Sequence, residues 1–302
     1  MLAKQANAVV FAGVDFNLPA HAPPCHLISR SNTFPMATMT RDLAGRRILI
    51  TGASSGIGWA LAEQLAAKGA RLVLAARSED KLRELAATLK TETLVVPTDV
   101  TKDADRIRLI DETKAKFGGL DVLINNAGIA SWAHFSESNE AILRQIMEVN
   151  FFGPAHLIKL AQPLLTEGRQ PAIVNVSSMC GRKAMPGWSE YSASKYALCG
   201  LTEALRGEFA RYDIDVLLII PGLTKSSFQE HVLQKKGRAK IEFEKGMEPS
   251  YVAGRIIKSL QSNKTETVLG SEARWVLLMS KFFPRMTDWL LARKMKQLYA
   301  QA

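Results

Sequence analysis

Cysteine is scarce in this chain. The three present, Cys25, Cys180 and Cys199, are odd in number and scattered through 302 residues. That count excludes a full disulfide framework and offers no zinc-ligand spacing, so no metal site is expected and a reducing, cytoplasmic compartment fits best. Long apolar runs are missing too: none reaches the roughly 18 residues of a membrane-spanning helix. A secretory leader is not suggested either, because the apolar stretch Ala6–Val14 is interrupted at once by Asp15. Acidic residues are outnumbered, 29 against 39 Lys and Arg, for a net charge of +10. The imbalance is local: residues 223–302 carry 15 Lys/Arg and 7 Asp/Glu. Such a surplus fits nucleic acid, an anionic membrane surface or a solvated exterior. No nucleic-acid-binding module accompanies it, so no nucleic-acid partner is expected.

What is present reads as an ordinary soluble composition, with 47% hydrophobic and 23% charged residues. Residues 1–40 hold Pro19, Pro23, Pro24 and Pro35 and no periodicity. They are expected to be a disordered extension, or translated sequence ahead of a start at Met36 or Met39. From about Leu43 short apolar runs alternate with helix-length amphipathic ones. Arg47–Thr51, Arg71–Ala76, Thr93–Val96, Asp121–Ile124, Ala172–Val176 and Asp215–Ile220 read as buried strands. This alternation predicts an α/β fold, a Rossmann-like doubly wound parallel sheet with helices on both faces. Ligands then bind at the strands' carboxyl ends. Residues 41–270 are expected to form that single dinucleotide-binding domain, and residues 271–302 an amphipathic helical appendage.

Several loops carry chemistry. TGASSGIG, Thr51 to Gly58, lies between a strand and a helix. There a glycine-rich turn lets a backbone pass close to a phosphate while helix N–H groups point at the anion. Its G-x-x-x-G-x-G spacing departs from the common G-x-G-x-x-G fingerprint. The second strand ends at Ala76 and Arg77, where an NAD site would place an acid for the ribose 2′-hydroxyl. A basic residue suits a 2′-phosphate instead, so NADP(H) is favoured over NAD(H). The alternative for Arg77 is a solvated strand cap. Asparagines of NNAG, Asn125 to Gly128, can brace neighbouring strands. Asn150, inside an apolar helix, is costly unless its amide is satisfied.

The stretch from Val176 to Lys195 organises the rest. It contains Ser178, Tyr191 and, four residues on, Lys195. Residues four apart on a helix lie about 5–6 Å apart at Cβ, so a phenol and an ammonium can share one site. A fixed positive charge favours phenolate, and moving its pKa by about three units takes roughly 4 kcal/mol. Ser178 can offer a hydroxyl to the oxygen that Tyr191 protonates. An exposed surface pair is the plainer reading of an isolated Y-x-x-x-K.

Together these motifs resemble the classical short-chain dehydrogenase/reductase family over residues 43–270. Thr51, Gly52, Gly56 and Gly58 match its T-G-x-x-x-G-x-G, and Tyr191 to Lys195 its Y-x-A-S-K. The resemblance implies an oxidoreductase acting on CH–OH or C=O groups. Ser178, Tyr191, Lys195 and Asn150 would be its catalytic residues, with Asn150 behind a water-mediated proton relay. It implies cofactor contacts from Gly52, Ser54, Ser55, Gly56, Ile57, Gly58, Arg77, Asp99, Val100, Asn126, Ala127, Gly128, Tyr191, Lys195, Pro221, Gly222 and Thr224. The P-G-x-x-x-T motif is partly kept in PGLTKSS, with Ser226 where Thr is usual. Relatives are commonly dimers or tetramers, so a homo-oligomer is expected.

Trp132, His134, Met179, Met185, Trp188 and Phe228 are expected in the pocket wall. Their apolar character predicts a small lipophilic carbonyl or alcohol substrate. A lipid-ketone reductase similar to 3-ketosphinganine reductases is a narrower alternative, and a non-catalytic NADP(H)-binding sensor is the competing class. Residues 274–299 interleave Trp, Phe, Leu and Met with basic residues. That pattern fits a helix in a membrane interface, a dimer-forming element or a substrate cover.

Overall fold

In a computed structural model, residues 40–225, 232–237 and 243–300 are described. The expected extension, residues 1–39, lies outside them. Strands β1 (Arg47–Thr51), β2 (Arg71–Ala76), β3 (Thr93–Pro97), β4 (Val122–Asn125), β6 (Ala172–Val176), β7 (Asp215–Pro221) and β9 (Glu266–Leu269) form a parallel sheet. Its order is β3-β2-β1-β4-β6-β7-β9, reversing between β1 and β4. A ligand crevice belongs at that reversal.

These strands are buried on both faces, so they read as continuous apolar runs. In β1, Ile48 and Ile50 join one core while Leu49 joins the other. Leu72 and Leu74 of β2 take the first side and Val73 the second. Helices α1 (Gly56–Ala66), α2 (Glu79–Thr88) and α7 (Pro249–Gln261) cover the first face through Leu61, Leu65, Leu82, Leu85, Val252 and Ile256. On the second, α3 (Asp103–Phe117) and α5 (Gly153–Thr166) bury Leu109, Ile110, Leu157 and Ile158. Each such side chain contributes about 1.5–3 kcal/mol of transfer free energy when fully buried.

Three features differ from the sequence reading. The long helix carrying Asn150 is divided: α4 (Glu140–Met147) runs into a π-helical turn, Glu148–Phe152, before α5. Single π turns open an α-helix and frequently mark functional sites. Strand β9 was not anticipated, nor was a small pair of β5 (Ala130–Trp132) with β8 (Val232–Lys235). Finally, the C-terminal segment is two helices, α8 (Ser271–Phe282) and α9 (Pro284–Ala300). Pro284 lacks an N–H to continue α8 and is well suited to begin α9.

Candidate active site

The loops leaving β1, β2, β4, β6 and β7 meet over the sheet's carboxyl edge around a cavity of about 700 Å³. Thr51 braces the turns beneath it. The hydroxyl oxygen accepts from the backbone N–H groups of Asn126 (3.0 Å) and Ala127 (3.1 Å). Asn126 returns the connection, its amide donating to the carbonyls of Thr51 (3.0 Å) and Gly52 (3.2 Å). The turns after β1 and β4 are thereby locked face to face.

That closeness explains the glycines. At Gly52, where φ is +66°, a Cβ would lie 2.8 Å from the Ala127 Cα. One at Gly58 would lie 2.1 Å from the Gly52 carbonyl oxygen. Gly58 packs behind the loop rather than lining the cavity, whereas Gly52, Ser54, Ser55, Gly56 and Ile57 line it. Ser55 caps α1 without a side-chain hydrogen bond, and no acidic side chain occupies the first turn. The positive end of α1 is therefore available to an anion. Arg77, Asp99, Val100, Asn126, Ala127, Gly128, Pro221, Gly222 and Thr224 also face the cavity. A Cβ on Gly128 would crowd the Asn150 Oδ1 at 3.3 Å and the Lys195 Nζ at 3.4 Å. A backbone cradle, a helix N-terminus and a basic side chain at the far end together fit a dinucleotide.

Helix α6 (Ser189–Phe209) carries Tyr191 and Lys195 into the same cavity. Lys195 is buried, and its Nζ donates to the Val176 carbonyl (3.0 Å) and lies 5.8 Å from the centre of the Tyr191 ring. Ser178 begins the turn after β6, its Oγ accepting from the Cys180 N–H (3.1 Å). Ser178 also hydrogen-bonds Tyr191. Ser177 fastens β6 to α6, with its Oγ donating to the Lys195 carbonyl (3.2 Å). A buried ladder continues behind: Asn125 Nδ2 donates to Asn175 Oδ1, and Asn175 Nδ2 to Thr202 Oγ1, both at 2.9 Å.

Asn150 does not line the cavity; it sits directly behind it. Its Oδ1 accepts from the Ile129 N–H (2.9 Å) while Nδ2 donates to the Ile129 carbonyl and the Ser194 Oγ, each at 2.9 Å. Ser194 Oγ in turn donates to the Tyr191 carbonyl (2.7 Å). The amide is thus fully engaged, and it ties the π turn to the loop after β4 and to the helix bearing Tyr191.

Burial decides the titration of both central groups. It pushes the Tyr191 phenol well above its ordinary value; charge on Cys180 adds to this, and the Ser178 hydrogen bond opposes it. In this structure removal from water dominates the phenol's titration. Burial also lowers the Lys195 ammonium to about 8, against a smaller raising effect of Cys199 and Cys180. The unfolded lysine, near 10.5, keeps its proton where the native one has released it. Stability from this group therefore rises with pH above about 8. Cys180, held up at about 11 against an ordinary 9.0, acts in the opposite sense above pH 9. We predict that raising pH from 8 to 9 adds about 1 kcal/mol of Lys195-linked stability. Urea unfolding at the two pH values should show that increment in the wild type and not in Lys195→Met.

The cavity wall is apolar where it meets Tyr191. Trp132 and Trp188 stack with ring centres 6.4 Å apart, and Trp188 meets Tyr191 edge-on at 5.6 Å. Met179 and Met185 complete the expected set, while Phe228 and Ser226 lie outside the described residues. His134 is a correction. It is exposed on the loop after β5, its Nδ1 3.1 Å from the Ser136 Oγ, and takes no part in the wall. Of the three readings of the C-terminal segment, a substrate cover agrees with α9, whose Leu291, Lys294, Met295 and Leu298 also line the cavity. Their i, i+3, i+4, i+7 spacing is a one-face helical stripe.

The family profile described as short chain dehydrogenase matches residues 46–237. The chain belongs to the short-chain dehydrogenase family. It is an oxidoreductase, and Ser178, Tyr191 and Lys195 line one cavity. It is similar to an uncharacterized oxidoreductase of Bacillus subtilis, at 32% identity over 84% of this chain and 74% of that protein. It also matches 11-beta-hydroxysteroid dehydrogenase A of Sesamum indicum, at 38% identity over 67% of this chain and 59% of the relative. A solved short-chain dehydrogenase from Burkholderia cenocepacia, in complex with NADP, shares the fold with a TM-score of 0.71 and 24% identity. That match covers 83% of this chain and 99% of the other.

Proposed function

We propose that this short-chain dehydrogenase is an NADPH-dependent reductase of lipophilic ketones or aldehydes. The observation that carries the reading is the apolar wall around Tyr191, built from Trp132, Met179, Met185 and Trp188 and completed by Leu291, Met295 and Leu298 of α9. A wall of that kind favours a hydrophobic substrate held by few polar groups. The similarity to a hydroxysteroid dehydrogenase supports the same substrate class.

A bound nicotinamide dinucleotide supplies the hydride in this chemistry. The chain's own residues manage binding and the proton. Tyr191, protonated at neutral pH as an ordinary phenol is, donates its proton to the carbonyl oxygen. In the oxidative direction the same oxygen takes a proton back. The Ser178 hydroxyl, already bonded to Tyr191, stabilises the developing oxyanion. Lys195 brings positive charge beside the phenol, held by the Val176 carbonyl. Asn150, bonded to Ile129 and Ser194, keeps that assembly rigid. A binding protein without catalysis has no use for this proton donor, which counts against a sensor role. A lipid-ketone reductase is a narrower form of the same reading.

Preference for NADPH rests on Arg77, exposed at the end of β2 beside Ala76 and at the cavity's edge. A guanidinium suits a 2′-phosphate, and no carboxylate stands there to receive a 2′-hydroxyl. Calorimetric titration of wild type and Arg77→Ala is the test. NADPH affinity should fall about 10- to 100-fold, the effect of losing one charge-assisted contact, with NADH nearly unaffected. Equal binding of both nucleotides, unchanged in the variant, would remove Arg77 from this role.

A further inference from the structure

Helix α9 has two apolar sides. One carries Leu291, Met295 and Leu298 into the catalytic cavity. The other is exposed: Met286, Trp289 and Leu290 are 43%, 57% and 49% accessible. On α8, Trp275, Leu278 and Phe282 recur at i, i+3 and i+7 and are exposed too, and Phe283 at the corner between the helices is 54% accessible. Aromatic side chains each present about 150–250 Å², so the four aromatics alone offer on the order of 500 Å² of exposed apolar surface. That approaches the upper end for the largest patch on a typical monomer, about 300–600 Å².

Charge distinguishes the candidate occupants. Residues 271–300 contain Arg274, Lys281, Arg285, Arg293, Lys294 and Lys296 against only Glu272 and Asp288. Asp288 is already paired with Lys183. The cations stand beside the aromatics: the Lys281 Nζ lies 5.8 Å from the Phe282 ring centre, and the Arg293 guanidinium 5.4 Å from that of Trp289. A second copy docking through this face would set the cationic segments against each other. Aromatic bodies rimmed by basic tips are instead the chemistry of an anionic lipid interface, where the rings enter the headgroup boundary and the cations remain at the phosphates. No described helix is long and apolar enough to cross a membrane, so the contact would lie in the interface plane.

The geometry points to the outer face of α8–α9 as a docking surface for an anionic bilayer, seated immediately outside the catalytic cavity. The helix that closes the cavity then also rests on the lipid, and an apolar solute in the bilayer reaches the cavity past one wall. The docking claim itself is independent of the substrate reading.

Sedimentation of the full chain with lipid vesicles tests it. The probes are phosphatidylcholine vesicles and vesicles in which about one third is phosphatidylserine. Wild type should sediment with the anionic vesicles, with a blue shift of tryptophan emission, and be released by salt. The exposed-face variant Trp275→Ser/Phe282→Ser/Trp289→Ser should lose at least about tenfold in partitioning. A second variant, Lys281→Gln/Arg285→Gln/Arg293→Gln, should lose only the preference for phosphatidylserine. All these side chains are exposed, so circular dichroism melts should match the wild type. The proposal is overturned if wild type remains in the supernatant with both vesicles, or if the triple aromatic variant binds as well as wild type. Light scattering that finds a dimer broken by the aromatic substitutions, with no vesicle binding, would assign the face to a second copy.

Discussion

Tyr191→Phe should lower kcat for carbonyl reduction by about 10³-fold while leaving dinucleotide affinity nearly unchanged. The substitution removes one hydroxyl and keeps the ring that Trp188 packs against at 5.6 Å. Lost with it is the proton source at the carbonyl oxygen, and positioned general acids are worth about 10²–10⁴-fold. Ser178 does not replace it. An alcohol can stabilise an oxyanion by hydrogen bonding but is a much weaker acid than a phenol, and Lys195 is fixed on the Val176 carbonyl. Steady-state kinetics combined with nucleotide titration separates this outcome from misfolding, because a misfolded variant loses both.

The second large effect belongs to Gly58→Ala. Its added methyl would stand 2.1 Å from the Gly52 carbonyl oxygen and 2.7 Å from the Asn126 Nδ2. The first contact is backbone and cannot rotate away. Either α1 withdraws from the loop or the Asn126 bonds to Thr51 and Gly52 break, and both routes open the cradle. Expected are a fall in nucleotide affinity of at least about 100-fold and a loss of stability of several kcal/mol, consistent with overpacking plus broken buried hydrogen bonds. Thermal melts and titration measure the two. Gly207→Ala, on the exposed side of α6 where an added methyl meets nothing within 4 Å, is the matched control.

Much of this site is written locally in the chain. RILIT and RLVLAA have near-continuous apolar runs because both faces of β1 and β2 are covered, and their alternation with helix-length segments makes the parallel sheet legible. Tyr191 and Lys195 share a helix face by spacing. Other features depend on residues distant in sequence. The β5–β8 pair has three and four residues and an irregular register, too short for a periodic signal. The π turn at Glu148–Phe152 has no compositional mark; it is stabilised by Asn150 reaching Ile129 and Ser194. The stripe Leu291, Met295, Leu298 is legible as an amphipathic face with a substrate cover among its readings, and only the folded sheet, built from strands far upstream, selects the cavity as its target. Burial, the main influence on the Tyr191 phenol, comes from packing with Cys180 and Trp188 and is not legible in the Y-x-x-x-K spacing. Composition alone points His134 to the wall, and only the path of the loop after β5 leaves it exposed.

The central claim is that Tyr191 protonates a lipophilic carbonyl during NADPH-driven reduction. Its most direct test follows NADPH consumption and alcohol formation with a series of ketones and aldehydes of increasing apolar surface, using wild type and Tyr191→Phe. The account predicts kcat/KM rising with apolar surface in the wild type and falling by about 10³-fold in the variant across the series. Comparable turnover by the variant, or no turnover of any carbonyl by a wild type that binds NADPH, would contradict it.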